Sequence, residues 1–306
     1  MATPNPTRLT WLALAAFGLV SCKTPEPSSR VVADSSGAAR ADTAQVVFIA
    51  SVWPVARLGC DLVGDPCRPV GLVPAGASAH SWEPKPSDLQ TLQGATAYLE
   101  VGLEFEHSWI PRFQSSVPDL RVLDLSGALD LSSHEEGHPH RGGEPEADPH
   151  VWSSPRALKL LVSVLAEQVS RSRPDLAPRV QAGLPVLRSR LETLDSLARV
   201  QLSPFSGKSF LINHPGLGYF ARDYGLVQRP LESHGREMTP VTLFEIRKTA
   251  RAQGVRAVFL QSGSSPVVAT QVAKELGVPV VEVDLLSPMP YDTLFLRLVG
   301  RMASSL

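Results

Sequence analysis

Four of the chain's eight histidines fall within residues 134–150, in the run HEEGHPHRGGEPEADPH, which also holds five carboxylates and almost no apolar side chain. Such a segment builds no hydrophobic core, but imidazole and carboxylate are donors that divalent metals accept. Buried-type sequence resumes at once with Val151-Trp152, so His150 stands at the border between a polar loop and a packed domain. Three more residues occupy similar borders. His80 lies in VPAGASAHSWEPKPSD beyond an apolar stretch, His214 directly follows FLIN, and Asp284 ends VPVVEVD. Each taken alone reads as a surface or capping residue. Gathered on one rim, three imidazoles and a carboxylate are the donor set of a tetrahedral zinc site.

A shared rim requires strands and helices in alternation, and the hydrophobic pattern supplies them. Short apolar runs at 46–51, 70–73, 97–101 and 121–124 read as strands, with helices over 54–63, from 86 onward, and over 106–115. Residues 155–172 and 176–200 carry apolar side chains at helical spacing, with Pro185 expected to kink the second stretch or sit near a turn. Alternation then resumes, with strands at 209–213, 227–231, 257–260 and 280–283 and helices at 219–224, 240–253, 266–276 and 291–304. The expected fold is α/β: two lobes, each a mostly parallel sheet flanked by helices, joined by a long helical connection, with the ligand in the interlobe cleft. The lobes fall at 45–154, including a histidine-rich loop at 132–147, and at 204–306, with the connection at 155–203.

The N-terminus carries different information. Arg8 precedes an apolar stretch at 9–20 that is too short to span a bilayer and reads as a secretory signal. It ends in Leu19-Val20-Ser21-Cys22, which resembles the bacterial lipobox whose cysteine becomes lipidated; an ordinary signal peptide with an incidental cysteine is the alternative. Residues 23–44 have the composition of a flexible tether. Cys60 and Cys67 form either a local disulfide or two free thiols, and no further cysteine completes a metal set with them. A length of 306 residues with 43% hydrophobic content allows two domains, and a net charge of -1 without a basic stripe excludes nucleic acid as a partner.

Four segments in order, PAGASAHSWEPKPSD, EADPHVWSSPRAL, INHPGLGYFARDYGL, and GVRAVFLQSGSSP with GVPVVEVDLL, give residues 45–306 a resemblance to the zinc-binding solute-binding proteins of bacterial ABC transporters, the ZnuA type within the TroA-like group. The resemblance implies that His80, His150 and His214 bind the metal, with Asp284 as fourth ligand. It implies capture of Zn2+ in the periplasm or at the cell surface by a lipid-anchored protein that is no enzyme, and delivery to a permease with its ATPase. Manganese-selective relatives carry glutamate where this chain has His214, and three imidazoles favour zinc. His134, His138 and His140 would form an auxiliary loop for zinc capture, for a weak second site, or for hand-over from a metallochaperone; a solvated acidic linker is the other reading. The chain departs from the family pattern at Asn213, at Pro215-Gly216, and at Gln261, where glutamate is common.

Rival functions are a secreted zinc hydrolase, a binder of manganese or another divalent ion, and an adhesin lipoprotein of the same fold. A hydrolase needs an open coordination position, which a fourth ligand at Asp284 would close. Trp82, Trp152, Tyr219 and Phe220 flank the expected ligands and are read as walls of the site, Glu237 as the cap of the following helix, and His107 and His234 as surface or capping residues.

Overall fold

Five consecutive apolar residues suit a strand covered on both faces, and Val46–Ala50 forms such a strand, β1, buried along its whole length. The computed structural model describes residues 45–79, 82–128, 148–233, 236–237 and 239–306. His80, Cys22 with the rest of residues 1–44, His134, His138, His140 and His234 lie outside them.

In the first lobe β1 is followed by α1 (Trp53–Val63), β2 (Cys67–Gly71), α2 (Pro86–Thr91), β3 (Ala97–Glu100), α3 (Glu104–Ser116) and β4 (Val122–Asp124), and the strands form a parallel sheet in the order β2-β1-β3-β4. The expected strand at 70–73 starts earlier, at Cys67. Its position on the sheet edge explains why: an edge strand tolerates Arg68 and Pro69, which a central strand would not. A disulfide joins Cys60 of α1 to Cys67 of β2.

Two helices lead to the second lobe. Ser154 caps α4 (Pro155–Ser172) by accepting from the amides of Arg156 and Ala157, and Leu158, Leu161, Val162, Leu165 and Val169 are buried along one stripe. The next helix, α5 (Ala177–Leu202), packs against α1 and α4 and runs unbroken through Pro185. Packing against several neighbours outweighs the one helical hydrogen bond that proline forfeits.

The second lobe contains β5 (Ser209–Ile212), α6 (Gly218–Asp223), β6 (Val227–Pro230), the two-residue strands β7 (Glu232–Ser233) and β8 (Arg236–Glu237), α7 (Pro240–Ala252), β9 (Val258–Gln261), α8 (Val267–Leu276), β10 (Val280–Val283) and α9 (Tyr291–Ser305). Its parallel sheet has the order β10-β9-β5-β6, and β7 pairs with β8 in an antiparallel hairpin that the periodicity did not predict. Glu237 lies in β8, and Thr239 caps α7 by accepting from the Thr242 amide. In each sheet the chain adds strands first on one side of the opening strand and then on the other. Ligands favour the carboxyl ends at such a reversal.

The lobes share one hydrophobic cluster. It runs from Phe48 and Leu62 through Leu161, Leu165, Leu187 and Leu191 to Phe210 and Phe295. Arg190, midway along α5, contacts both lobes: Nη1 donates to Asp61 of α1 at 2.8 Å and Nε to Asp292 of α9 at 2.7 Å.

Candidate metal centre

His214 follows β5 by two residues, and His150 precedes the short turn Val151–Ser153 that leads to the capped start of α4. This brings together two residues 64 positions apart, with Nε2 of His214 3.1 Å from Nε2 of His150. The ring centroids are 5.0 Å apart and the planes are tilted by 64°. Both residues are buried, His150 to 6% and His214 to 3% exposure.

The far nitrogens explain this orientation. Nδ1 of His150 meets Asp148 Oδ1 at 2.6 Å, and Nδ1 of His214 meets Glu232 Oε1 at 2.8 Å. A carboxylate accepts, so both rings carry their proton on Nδ1 and present lone pairs at Nε2. Two nitrogens bound at about 2.05 Å to one tetrahedral zinc stand about 3.3 Å apart. The observed spacing therefore matches two ligands of one ion. Burial lowers the His214 pKa below its ordinary value; the hydrogen bond to Glu232, next in importance, works the other way, and His150 adds to the lowering. The imidazole is consequently neutral near pH 7, as a metal ligand must be.

Asp148 and Glu232 were not singled out in the sequence. Asp148 is held by its neighbours: its Oδ1 also accepts the His150 backbone N–H at 2.9 Å, and its carbonyl accepts from the Tyr219 hydroxyl at 2.8 Å. Gly218 makes room for it, since a Cβ there would lie 2.8 Å from Asp148 Oδ2. Its place two residues before His150 was the one local signal available. Glu232 had none, because a hairpin after β6 carries it to His214 from 18 positions away.

Of the expected walls, Trp152 meets the His150 ring edge-on at 5.3 Å and Tyr219 touches Asp148. Phe220 turns instead into the core against Tyr224 and Phe295, and Trp82 stands edge-on to Phe105. His107 is exposed, as expected for a surface residue.

Asp284 directly follows β10 rather than ending it, and its carboxylate faces its own chain. Oδ1 accepts from the amides of Leu286 at 2.9 Å and Ser287 at 3.0 Å, and Oδ2 accepts from the Ser287 hydroxyl. Among the described residues no three His, Cys, Asp or Glu side chains form a metal-sized group, so Asp284 does not join the histidine pair here. Beside the pair stand Asn213, whose Oδ1 accepts from the Gln261 amide at 2.7 Å, and Gly216. A Cβ on Gly216 would lie 2.5 Å from Gln261 Oε1 and 3.4 Å from Cδ2 of each histidine.

Residues 47–306 match the model of a family described as ZnuA, zinc-uptake complex component A, periplasmic. The chain is 28% identical over 274 residues to the high-affinity zinc uptake system protein ZnuA of Bacillus subtilis, covering 86% of this chain and 84% of that protein. It is 27% identical over 253 residues to the zinc-binding lipoprotein AdcA of Streptococcus pneumoniae, covering 79% of this chain but 50% of that protein, and so spans about half of AdcA. A solved crystal structure of ZnuA superposes with a TM-score of 0.73 at 28% identity, covering 85% of this chain and 98% of that one.

Proposed function

From the premise that this chain belongs to the ZnuA family of periplasmic zinc-uptake components, we propose that it captures Zn2+ at the His150–His214 pair and passes it to the permease and ATPase of an ABC-type importer. The observation that carries this reading is the 3.1 Å approach of two Nε2 atoms, each backed by a carboxylate on Nδ1. We assign His80 as the third ligand and Asp284 as the fourth. A carboxylate oxygen has two lone pairs, so Asp284 retains acceptor capacity beyond its present bonds. Asp148 and Glu232 do not coordinate; they fix the ring tautomers and share the charge of the bound cation.

The remaining assignments follow the same reading. Cys22 is the lipidated residue that holds the protein to the membrane, and the disulfide suits an oxidising compartment. His134, His138 and His140 assist capture or accept zinc from a metallochaperone. Residues 134–138 do spell His-Glu-x-x-His, the motif of zinc hydrolases. That chemistry needs both histidines on one helical face, and a stretch with Gly137 followed by Pro139, Gly142 and Gly143 is a poor helix former. The transport reading is therefore preferred to the hydrolase.

The test is zinc stoichiometry and affinity of the purified chain by competition with a chromogenic chelator. Wild type binds one ion tightly, and His150→Ala and His214→Ala each weaken binding at least a hundredfold. Tight one-to-one binding that survives both substitutions overturns the assignment. Deleting residues 134–143 leaves the tight site intact and slows zinc acquisition from competing chelators.

A further inference from the structure

We infer that Gln261 sets the ion selectivity of this site: its neutral amide oxygen borders Gly216, as both histidine rings do, and a carboxylate there would favour harder cations such as Mn2+. The inference rests on the reading of the His150–His214 pair as a zinc site.

Gln261 ends β9, the strand paired with β5, which delivers His214. Its backbone amide is held by Oδ1 of Asn213, the residue before His214. Asn213 makes this bond from a buried position, where its own Nδ2 finds no partner among the described residues. The root of the Gln261 side chain is thus locked to the segment that carries a ligand. Its tip is located by Gly216. One point, the place of the missing Cβ, lies 2.5 Å from Gln261 Oε1 and 3.4 Å from the Cδ2 atoms of His150 and His214. Cδ2 is bonded to Nε2, so Gly216 lies between the amide oxygen and the ring edges that face the Nε2 pair. Any larger residue at 216 would displace that oxygen.

Two of the nearby carboxylates are engaged elsewhere, since Asp148 and Glu232 meet the Nδ1 atoms, which leaves Asp284 as the single carboxylate assigned to the ion. Imidazoles with a neutral oxygen favour zinc, whereas each added carboxylate favours manganese, magnesium or calcium. The three sequence departures at Asn213, Gly216 and Gln261 therefore form one device. Asn213 anchors the glutamine, Gly216 admits it, and Gln261 withholds a negative charge at nearly the volume of glutamate.

The experiment measures Zn2+ and Mn2+ affinities of the full chain at pH 7, by competition with a fluorescent chelator, for wild type, Gln261→Glu and Gln261→Met. The glutamate variant strengthens Mn2+ binding and narrows the Zn2+:Mn2+ affinity ratio at least tenfold, while the methionine variant stays within threefold of wild type. Gln261→Asp carries the same prediction should the glutamate variant fail to fold. An unchanged ratio in the carboxylate variants, equal strengthening of both ions, or the same narrowing with methionine overturns the inference. Failure of wild type to bind zinc tightly would instead sink the zinc-site reading itself.

Discussion

An imidazole offers a metal its lone pair only at the nitrogen without a proton, so the partner on the other nitrogen governs its use as a ligand. For His214 that partner is Glu232, and losing such an outer carboxylate typically costs roughly 10–100-fold in metal affinity. We expect Glu232→Ala to weaken zinc binding within that range and Glu232→Gln, which still accepts from Nδ1, to restore part of it; equal affinities in all three chains would remove Glu232 from the site. A different buried acid bears on stability. Glu106 has no exposed surface and receives five donors: the Ser51 and Tyr98 hydroxyls and the amides of Val101, Gly102 and Leu103. Burial raises its pKa above the ordinary value and the donors oppose it. A raised carboxyl pKa contributes stability below the unfolded value of about 4.3, and this is lost as pH rises through the folded value. Relative to Glu106→Gln, wild type therefore loses stability as pH rises above about 4. Denaturant unfolding of both chains across that range checks it, and a flat difference would mean that the five donors fully offset burial.

The elements were legible in the sequence where one physical signal dominated. VVFIA and SFLI read as strands because central parallel strands are apolar on both faces, and the PRAL segment opens α4 because Ser154 and Pro155 are strong start signals. Legibility failed where tertiary context decided. An edge position lets CRPVG become β2, and two-residue strands such as β7 and β8 are too short for any period to register. The same division holds in the site: His150 and His214 stood out at element borders and Gln261 as a departure from the family pattern, whereas Glu232 is brought in by a hairpin. The α1–α5 contact is another case of context, since Gly183 has an ordinary helical place in sequence. A Cβ on Gly183 would collide with the Leu62 carbonyl oxygen, so α5 must move off α1 to accept one. Gly183→Ala should destabilise the protein by about 1–3 kcal/mol despite the better helix propensity of alanine. Thermal unfolding tests this, and a neutral or stabilising result would show that α5 shifts at little cost.

At the scale of the molecule, the shared core and the Arg190 bridge limit how the lobes respond to an ion. A cluster continuous from Phe48 to Phe295 must be broken to separate them widely, so zinc binding is expected to produce a small adjustment around α5. The energetic consequence is measurable even if the displacement is slight. A ligand that binds only the folded state stabilises it by RT ln(1 + [L]/Kd), about 4 kcal/mol at a thousandfold excess over Kd. For a folded unit of this size each kcal/mol moves the unfolding midpoint by about 2–4 °C, giving a rise of about 8–16 °C with zinc. His150 lies at the start of the helical connection and His214 at the mouth of the second sheet, so an ion held by both would cross-link two regions within one cooperative unit. Calorimetry should accordingly show a single transition that moves upward as a whole with Zn2+, returns with excess chelator, and stays in place in His150→Ala. Two transitions, of which only one responds to zinc, would show that the lobes unfold separately and that the shared core does not couple them.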